Sequence, residues 1–401
     1  MQAAASRGLW AVLSAQFLSA LADNALLFAA IALLKAANAP DWYTPLLQEC
    51  FLLAYIVLAP FVGHVADAWP KGRVMLAANA LKLAGAGAML AGANPLLAYG
   101  FVGIGAAAYS PAKYGILSEL VTQDRLVKAN GLLEGSTIAA ILLGVVLGGY
   151  LADQGAQIAV GFTVVTYFLA ALANLRIPAL VPSSARRLRS PVTLLREFWG
   201  AVVTLMKHPD GRFTLLGTSV FWGTGSTMRF LLIAWVPLAL GITGTSAPAN
   251  LSGAVAVGIA VGAAAAARFV TLDKVNRALP AGLALGVLIM AFAPLTNLPI
   301  AVVLLVLIGA CGGFYVVPLN ALLQERGHQT VGGGSAIAVQ NFIENLMMLQ
   351  LIGIYTAMTH AGLPTVWTAI SFGALVLAAI GALAWARRAT TLRAQPCLSR
   401  E

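Results

Sequence analysis

LWAVLSAQFLSALADNALLFAAIALL, residues 9–34, decides the fold. Apart from Ser14, Gln16, Ser19, Asp23 and Asn24 the run is apolar, and it is 26 residues long. A helix needs only about 20 such residues to cross the hydrocarbon core of a bilayer. Asp23 sits near the middle. A carboxylate at that depth costs at least ~2.5–3.5 kcal/mol, so its presence there marks a function. Another apolar stretch, 213–240, carries Arg229 near its own middle, 206 residues after Asp23. Two midplane charges of opposite sign, at matching positions of similar segments, point to a polar site in a membrane protein built from two copies of one half.

The rest of the chain agrees. It is 60% hydrophobic and 9% charged, with a mean hydropathy of +0.87, a composition foreign to soluble domains. Twelve spans are expected, at about 9–36, 43–68, 73–93, 95–120, 126–152, 156–177, 213–240, 247–271, 276–294, 297–325, 331–359 and 363–386. With both termini cytoplasmic, 20 of the 24 Lys and Arg fall in or beside cytoplasmic segments; the others are Lys35, Lys82, Lys113 and Arg229. That bias orients a membrane protein. The net charge of +10 is therefore a topogenic signal and not a nucleic-acid surface, since no basic cluster carries interleaved aromatic residues. Ala20-Leu21-Ala22 before Asp23 resembles a signal-peptidase site, but the apolar run continues to Leu34, so the first span is expected to be retained.

Chemistry other than transport finds little footing. Cys50, Cys311 and Cys397 are too scattered for a disulfide framework or a metal site. There is no phosphate-binding loop, zinc motif or nucleophile elbow. His64, His208, His328 and His360 lie at or near expected loops, which leaves no intramembrane histidine relay. The expectation is a transporter rather than an enzyme, with no cofactor and no metal.

The stretch 178–212 breaks the pattern with Pro178, Pro182 and the basic run ARRLRS at 185–190. It divides the chain into a six-helix bundle, 1–177, a basic cytoplasmic linker, 178–212, a second six-helix bundle, 213–388, and a cytoplasmic tail, 389–401. Within the linker Leu195, Phe198, Trp199, Val202, Leu205 and Met206 recur at helical spacing beside Arg196 and Lys207. That suits a helix lying on the inner leaflet or one packed on the cytoplasmic ends of the bundle. An offset of 206 lays Asp23 on Arg229, Asp67 on Asp273 and Lys71 on Arg277, and an offset of 207 lays Pro111 on Pro318. An all-α protein with two parallel six-span repeats and a basic connecting loop has the arrangement of the major facilitator fold, with substrate handled near the midplane.

The loop GHVADAWPKGR, 63–73, resembles that superfamily's G-x-x-x-D-x-x-x-[RK]-x-G-[RK] motif, with Gly72 preceding Arg73 in tighter spacing. Gly63, Asp67, Lys71 and Arg73 are the expected conformational latch: Gly63 for close helix approach, Asp67 to cap a helix end and meet basic residues. Longer blocks resemble the bacterial lysophospholipid transporter family: QFLSALADNALLFAAIALLK (16–35), GAAAYSPAKYGIL (105–117), KANGLLEGSTIAAILLG (128–144), RFLLIAWVPLALGIT (229–243), GGFYVVPLNALLQERG (312–327) and AIAVQNFIEN (336–345). The resemblance implies a multi-pass protein of the bacterial inner membrane that moves lysophosphatidylethanolamine and related lysolipids from outer to inner leaflet without an energy source. An acyltransferase then re-acylates them. Some members are fused to that enzyme; this chain carries no such domain before Glu401, so a separate acyltransferase is the expected partner.

Such a head group presents an ammonium and a phosphate, and Asp23 and Arg229 supply their complements, the guanidinium as a planar fork for phosphate. Two readings of the pair stay open, head-group binding and a static bridge between the halves. Asn24, Lys82, Lys113, Glu134, Asn320, Gln340, Asn341 and Glu344 are further candidates for lining the site. Shielding the tail matters more: exposing a chain of about sixteen carbons to water would cost on the order of 13 kcal/mol. Gly144 and Gly148 in span five, with Gly258 and Gly262 in span eight, are expected to form a lateral lipid portal or simply to pack helices. The rivals are a proton-coupled exporter of cationic amphiphiles, using Asp23 and Glu344, and a non-transporting scaffold for an acyltransferase.

Overall fold

A computed structural model describes residues 2–121, 123–178, 190–331 and 333–394, and among these no strand occurs. The elements are α1 (Gln2–Ala36), α2 (Tyr43–Ala68), α3 (Lys71–Leu90), α4 (Pro95–Gly115), α5 (Leu117–Leu120), α6 (Gln123–Gln154), α7 (Ala156–Leu175), α8 (Pro191–Lys207), α9 (Pro209–Leu240), α10 (Ser246–Phe269), a 3₁₀ turn (Leu272–Ala278), α11 (Leu279–Phe292), α12 (Leu298–Thr330), α13 (Gly333–His360) and α14 (Thr365–Ala394). Among the described residues ten helices are long and apolar enough to cross a membrane. α3 and α4, of 20 and 21 residues, have the ~30 Å length. They fall short in apolarity, α3 through Lys71, Arg73 and Lys82, α4 through Ser110, Pro111 and Lys113.

Two expected spans are interrupted. The fourth breaks after Gly115, where a Cβ would stand 2.5 Å from Lys71 Cε. The ninth begins as the 3₁₀ turn and becomes α-helical only at Leu279, with Pro280 in its first turn. Proline lacks the N–H that the first turn leaves unbonded anyway, and its ring presets φ for a helix start.

Contacts divide the chain into two compact units, Met1–Arg196 with Gly244–Asn250, and Glu197–Thr243 with Leu251–Glu401. In the first, α1 packs on α4, α6 and α7, while α3 packs on α4 and α7 and α2 on α4. In the second, α9 packs on α12, α13 and α14, while α11 packs on α12 and α14. α10 abuts α12 through Gly258 and Gly262. The pairing order is the same in both, with α1 answering to α9, α3 to α11, α4 to α12, α6 to α13 and α7 to α14. Local chemistry repeats too. Asn94 caps α4 by accepting from the amides of Leu96 and Leu97, at 2.9 and 3.4 Å, ahead of Pro95. Asn297 caps α12 by accepting from the Ile300 amide at 3.2 Å. Each helix then carries an internal proline, Pro111 and Pro318.

α8 buries Val202 and Leu205 in a cluster with Leu215, Leu323, Val339 and Ile343 of α9, α12 and α13. Phe198 and Trp199 meet the Phe342 ring edge-on, at 5.3 and 5.9 Å between centroids. One face of the helix thus docks on the bundle end; Trp199 and Val203 remain exposed. Residues 244–250 belong to the first unit, because Asp153 near the end of α6 caps the start of α10. The amides of Thr245 and Ser246 donate to its carboxylate at 2.6 and 3.0 Å, the Thr245 hydroxyl at 2.8 Å, and the Ser246 hydroxyl as well.

Candidate functional site

Lys82 organises the polar interior of the first unit. It is 1% exposed, and Gly105 of α4 makes room for its stem: a Cβ there would stand 2.6 Å from the Ala78 carbonyl and 2.8 Å from Lys82 Cγ. Its ammonium donates to Asp23 Oδ2 at 2.7 Å and to Ser19 Oγ at 3.0 Å. Ser19 lies four residues before Asp23, hence on the same face of α1, and donates in turn to Asn79 Oδ1 at 2.7 Å. The other carboxylate oxygen of Asp23 accepts from the Tyr167 hydroxyl of α7 at 2.7 Å. The ammonium also stands 5.0 Å from the Tyr109 ring and 5.9 Å from that of Tyr167, within cation–π reach. Asn79 Nδ2 and the Tyr109 hydroxyl are buried without a hydrogen-bond partner among the described residues. Asp23 keeps 23% of its side chain exposed against 2% for Lys82, so the carboxylate forms the open edge of the cluster.

Sequence reasoning placed Lys82 only among the lining residues; here it is the buried counter-ion of Asp23. Ser19, Asn79, Tyr109 and Tyr167 were missed. A signal existed for Ser19, at i−4 from Asp23, but none for Tyr167, 144 residues away. Asn24 turns back on its own helix, donating to the Ala20 carbonyl at 2.9 Å. Lys113 stands 4.7 Å from the Tyr114 ring.

Of the expected latch, Lys71 is buried and paired with Glu119, and Arg73 is exposed. The close approach expected at Gly63 is not seen among the described residues: nothing lies within 4 Å of where its Cβ would stand. The side chains of Asp67 and Glu134 lie outside the described residues. The glycines have definite partners within their own units. Cβ atoms at Gly144 and Gly148 would stand 2.5 Å from the Leu21 carbonyl and 2.6 Å from Ala25 Cα of α1. At Gly258 and Gly262 they would overlap the carbonyls of Val306 and Ala310 of α12. These contacts give all four a role in helix packing.

The second unit holds its own polar cluster. Glu344, 7% exposed on α13, accepts from Gln340 Nε2 at 2.8 Å, and the same amide donates to Asn320 Oδ1 of α12 at 2.8 Å. The Asn341 carbonyl accepts from Asn345 Nδ2 at 2.6 Å. Arg229 is half-buried on α9. At the linker end, Asp210 accepts from Arg326 Nε at 2.8 Å and from Arg387 Nη1, joining the ends of α9, α12 and α14. This tie was also missed, although an acid in the first turn of one helix and basic residues near the ends of two others favour it.

Residues 12–350 match the Major Facilitator Superfamily. The chain is 56% identical over 384 residues to the protein called lysophospholipid transporter LplT of Enterobacter sp. (strain 638), covering 96% of this chain and 97% of that one. It is 54% identical, with the same coverage, to the protein of that name in Shigella boydii serotype 4 (strain Sb227). Among solved structures it is similar to the nucleoside transporter NupG, in a mutant form, with a TM-score of 0.75 at 12% identity over 95% of this chain and 99% of that one. A bacterial homologue of the human lysosomal transporter Spinster, inward-facing and unoccupied, gives 0.73 at 14% identity over 96% and 97%. At these identities the two structures speak to fold alone.

Proposed function

This chain belongs to the major facilitator superfamily and to its lysophospholipid transporter family, and we propose that it flips lysophosphatidylethanolamine and related lysolipids from the outer to the inner leaflet of a bacterial inner membrane. The relatives' shared name and near-complete coverage carry this reading. The two polar clusters supply the chemistry. Asp23, at the open edge of the first, and Glu344, in the second, offer carboxylates to the ammonium of the head group. Lys82, the Asn79 amide and the Tyr109 hydroxyl offer donors to its phosphate, and Arg229 a planar fork. In each cluster the carboxylate is already held by charged, hydroxyl or amide donors, Asp23 by Lys82 and Tyr167 and Glu344 by Gln340, and a zwitterionic head can take the place of such bonds. Desolvation, the main obstacle to taking a charged head through a membrane, is then offset by bonds of the same kind.

The transporter works as two six-helix halves, 1–177 and 213–388, joined by the linker 178–212, with linker and both termini cytoplasmic. Re-acylation by a separate acyltransferase removes the delivered lysolipid and gives the flux its direction, so no coupling ion is required.

The test is uptake of labelled lysophosphatidylethanolamine from the outer leaflet of cells lacking their own transporter, with membrane expression of each variant verified. Wild-type uptake should survive an uncoupler, and Asp23→Asn and Arg229→Gln should each abolish most of it. Uptake that collapses with the uncoupler would replace this reading by proton-coupled transport. Absence of uptake by the wild type would refute it.

A further inference from the structure

The second unit contains an apolar groove of about 630 Å³, bounded by Val220 of α9, Met347, Leu351 and Ile354 of α13, and Val376 and Ala379 of α14. It exists because α13 and α14 both pack closely on α9 but little on each other, and because Gly353, also in the wall, projects no side chain into it. Its volume suits a single ligand. Both flanking helices are long and apolar enough to cross a membrane, so the groove lies at the depth of the hydrocarbon. Gln350 is the one polar side chain among its lining residues.

The groove adjoins the Glu344 cluster. Met347 and Leu351 follow Glu344 by three and seven residues, on one face of α13. Along that face a buried carboxylate with its amides gives way to an apolar trough, and Gln350, about 120° round the helix from Glu344, follows it by about 9 Å along the axis. One polar end and one apolar channel match an amphiphile with one head and one chain. Resting on the function proposed above, we infer that this groove seats the single acyl chain of the lysolipid, with Gln350 hydrogen-bonding the free glycerol hydroxyl.

The chemistry discriminates. A diacyl phospholipid has no free hydroxyl for Gln350, and its second chain has no trough. Orientation follows from the helix. α13 runs from the linker end toward the opposite face, so the head lies on the linker side and the chain points away from it. A lipid delivered to the linker-side leaflet has this orientation.

Photo-crosslinking decides the matter. The full-length protein, reconstituted in vesicles of phosphatidylcholine and phosphatidylglycerol, is irradiated with lysophosphatidylethanolamine bearing a mid-chain diazirine, and adducts are mapped by mass spectrometry. Adducts should fall on residues 347–357 and 375–379. Excess unlabelled lysophosphatidylethanolamine should remove them, and excess diacyl phosphatidylethanolamine should not. Ala379→Trp, which fills the groove, should cut long-chain uptake at least about tenfold while sparing a six-carbon lysolipid. Gln350→Leu should erase the preference for lysolipid over diacyl competitor. Adducts elsewhere, or equal displacement by diacyl lipid, would overturn the assignment, the latter making the groove a crevice for bulk lipid. The adduct map is read without transport, so a wild type that labels as expected but does not transport would sink the functional reading and leave the chain seat standing.

Discussion

Lys82 carries a consequence at the scale of single residues. A buried ammonium is tolerated because Asp23 and Ser19 bond it at 2.7 and 3.0 Å, and removing one partner of such a pair leaves the other charge without compensation. Lys82→Met should therefore destabilise the protein by about 3–5 kcal/mol, while the double variant Asp23→Asn/Lys82→Met recovers much of that loss. Thermal unfolding in detergent, followed by size-exclusion fluorescence, measures both. The double variant should regain stability but not lysolipid uptake, because the proposed function gives the Asp23 carboxylate the contact with the head group. Equal stability of wild type and Lys82→Met would show that the pair contributes nothing to the fold. Asp23 itself was legible from sequence, since a carboxylate in a 26-residue apolar run announces itself. Its partner was not, because Lys82 sits 59 residues away on another helix.

Among elements, α10 and α6 make the sharpest case. Asp153 of α6 caps the start of α10 through four hydrogen bonds to Thr245 and Ser246. Asp153→Ala should cost about 1–2 kcal/mol of local stability, the usual worth of a helix cap. The amides of residues 245–250 should exchange with deuterium faster, while those deep in α1 should not change. A different prediction concerns Gly262, whose added Cβ would run into the Ala310 carbonyl, a backbone group that cannot rotate away. Gly262→Ala should force α10 from α12 and cost at least about 1–3 kcal/mol, as overpacking does, read as a lowered melting temperature. Gly353→Ala should be nearly neutral, since nothing lies within 4 Å of its Cβ position. The helices themselves were legible because apolar run length is a local property. Their interruptions at Gly115 and before Leu279 were less so, since each depends on what a turn meets or must avoid.

For the molecule as a whole, the distribution of Lys and Arg predicts topology. Reporter fusions that fluoresce only in the cytoplasm should be active when joined at the linker or at the C-terminus, and inactive in the connections after α1 and α9. Fluorescence from those two connections would reverse the orientation and, with it, the direction proposed for transport.

Hydropathy, charge bias and the two midplane charges are written along the chain. They act helix by helix, through the cost of placing each residue in hydrocarbon, so the sequence alone determined the all-helical membrane fold, its twofold internal repeat and the family resemblance. Which helix faces meet is another matter. The pairing of Asp23 with Lys82 and Tyr167, the seating of each glycine on one particular backbone, and the groove left between α13 and α14 arise where segments far apart in sequence come together. Between apolar helices in an apolar solvent, burial has little preference among partners. Close packing and hydrogen bonds make that choice, and both exist only in three dimensions.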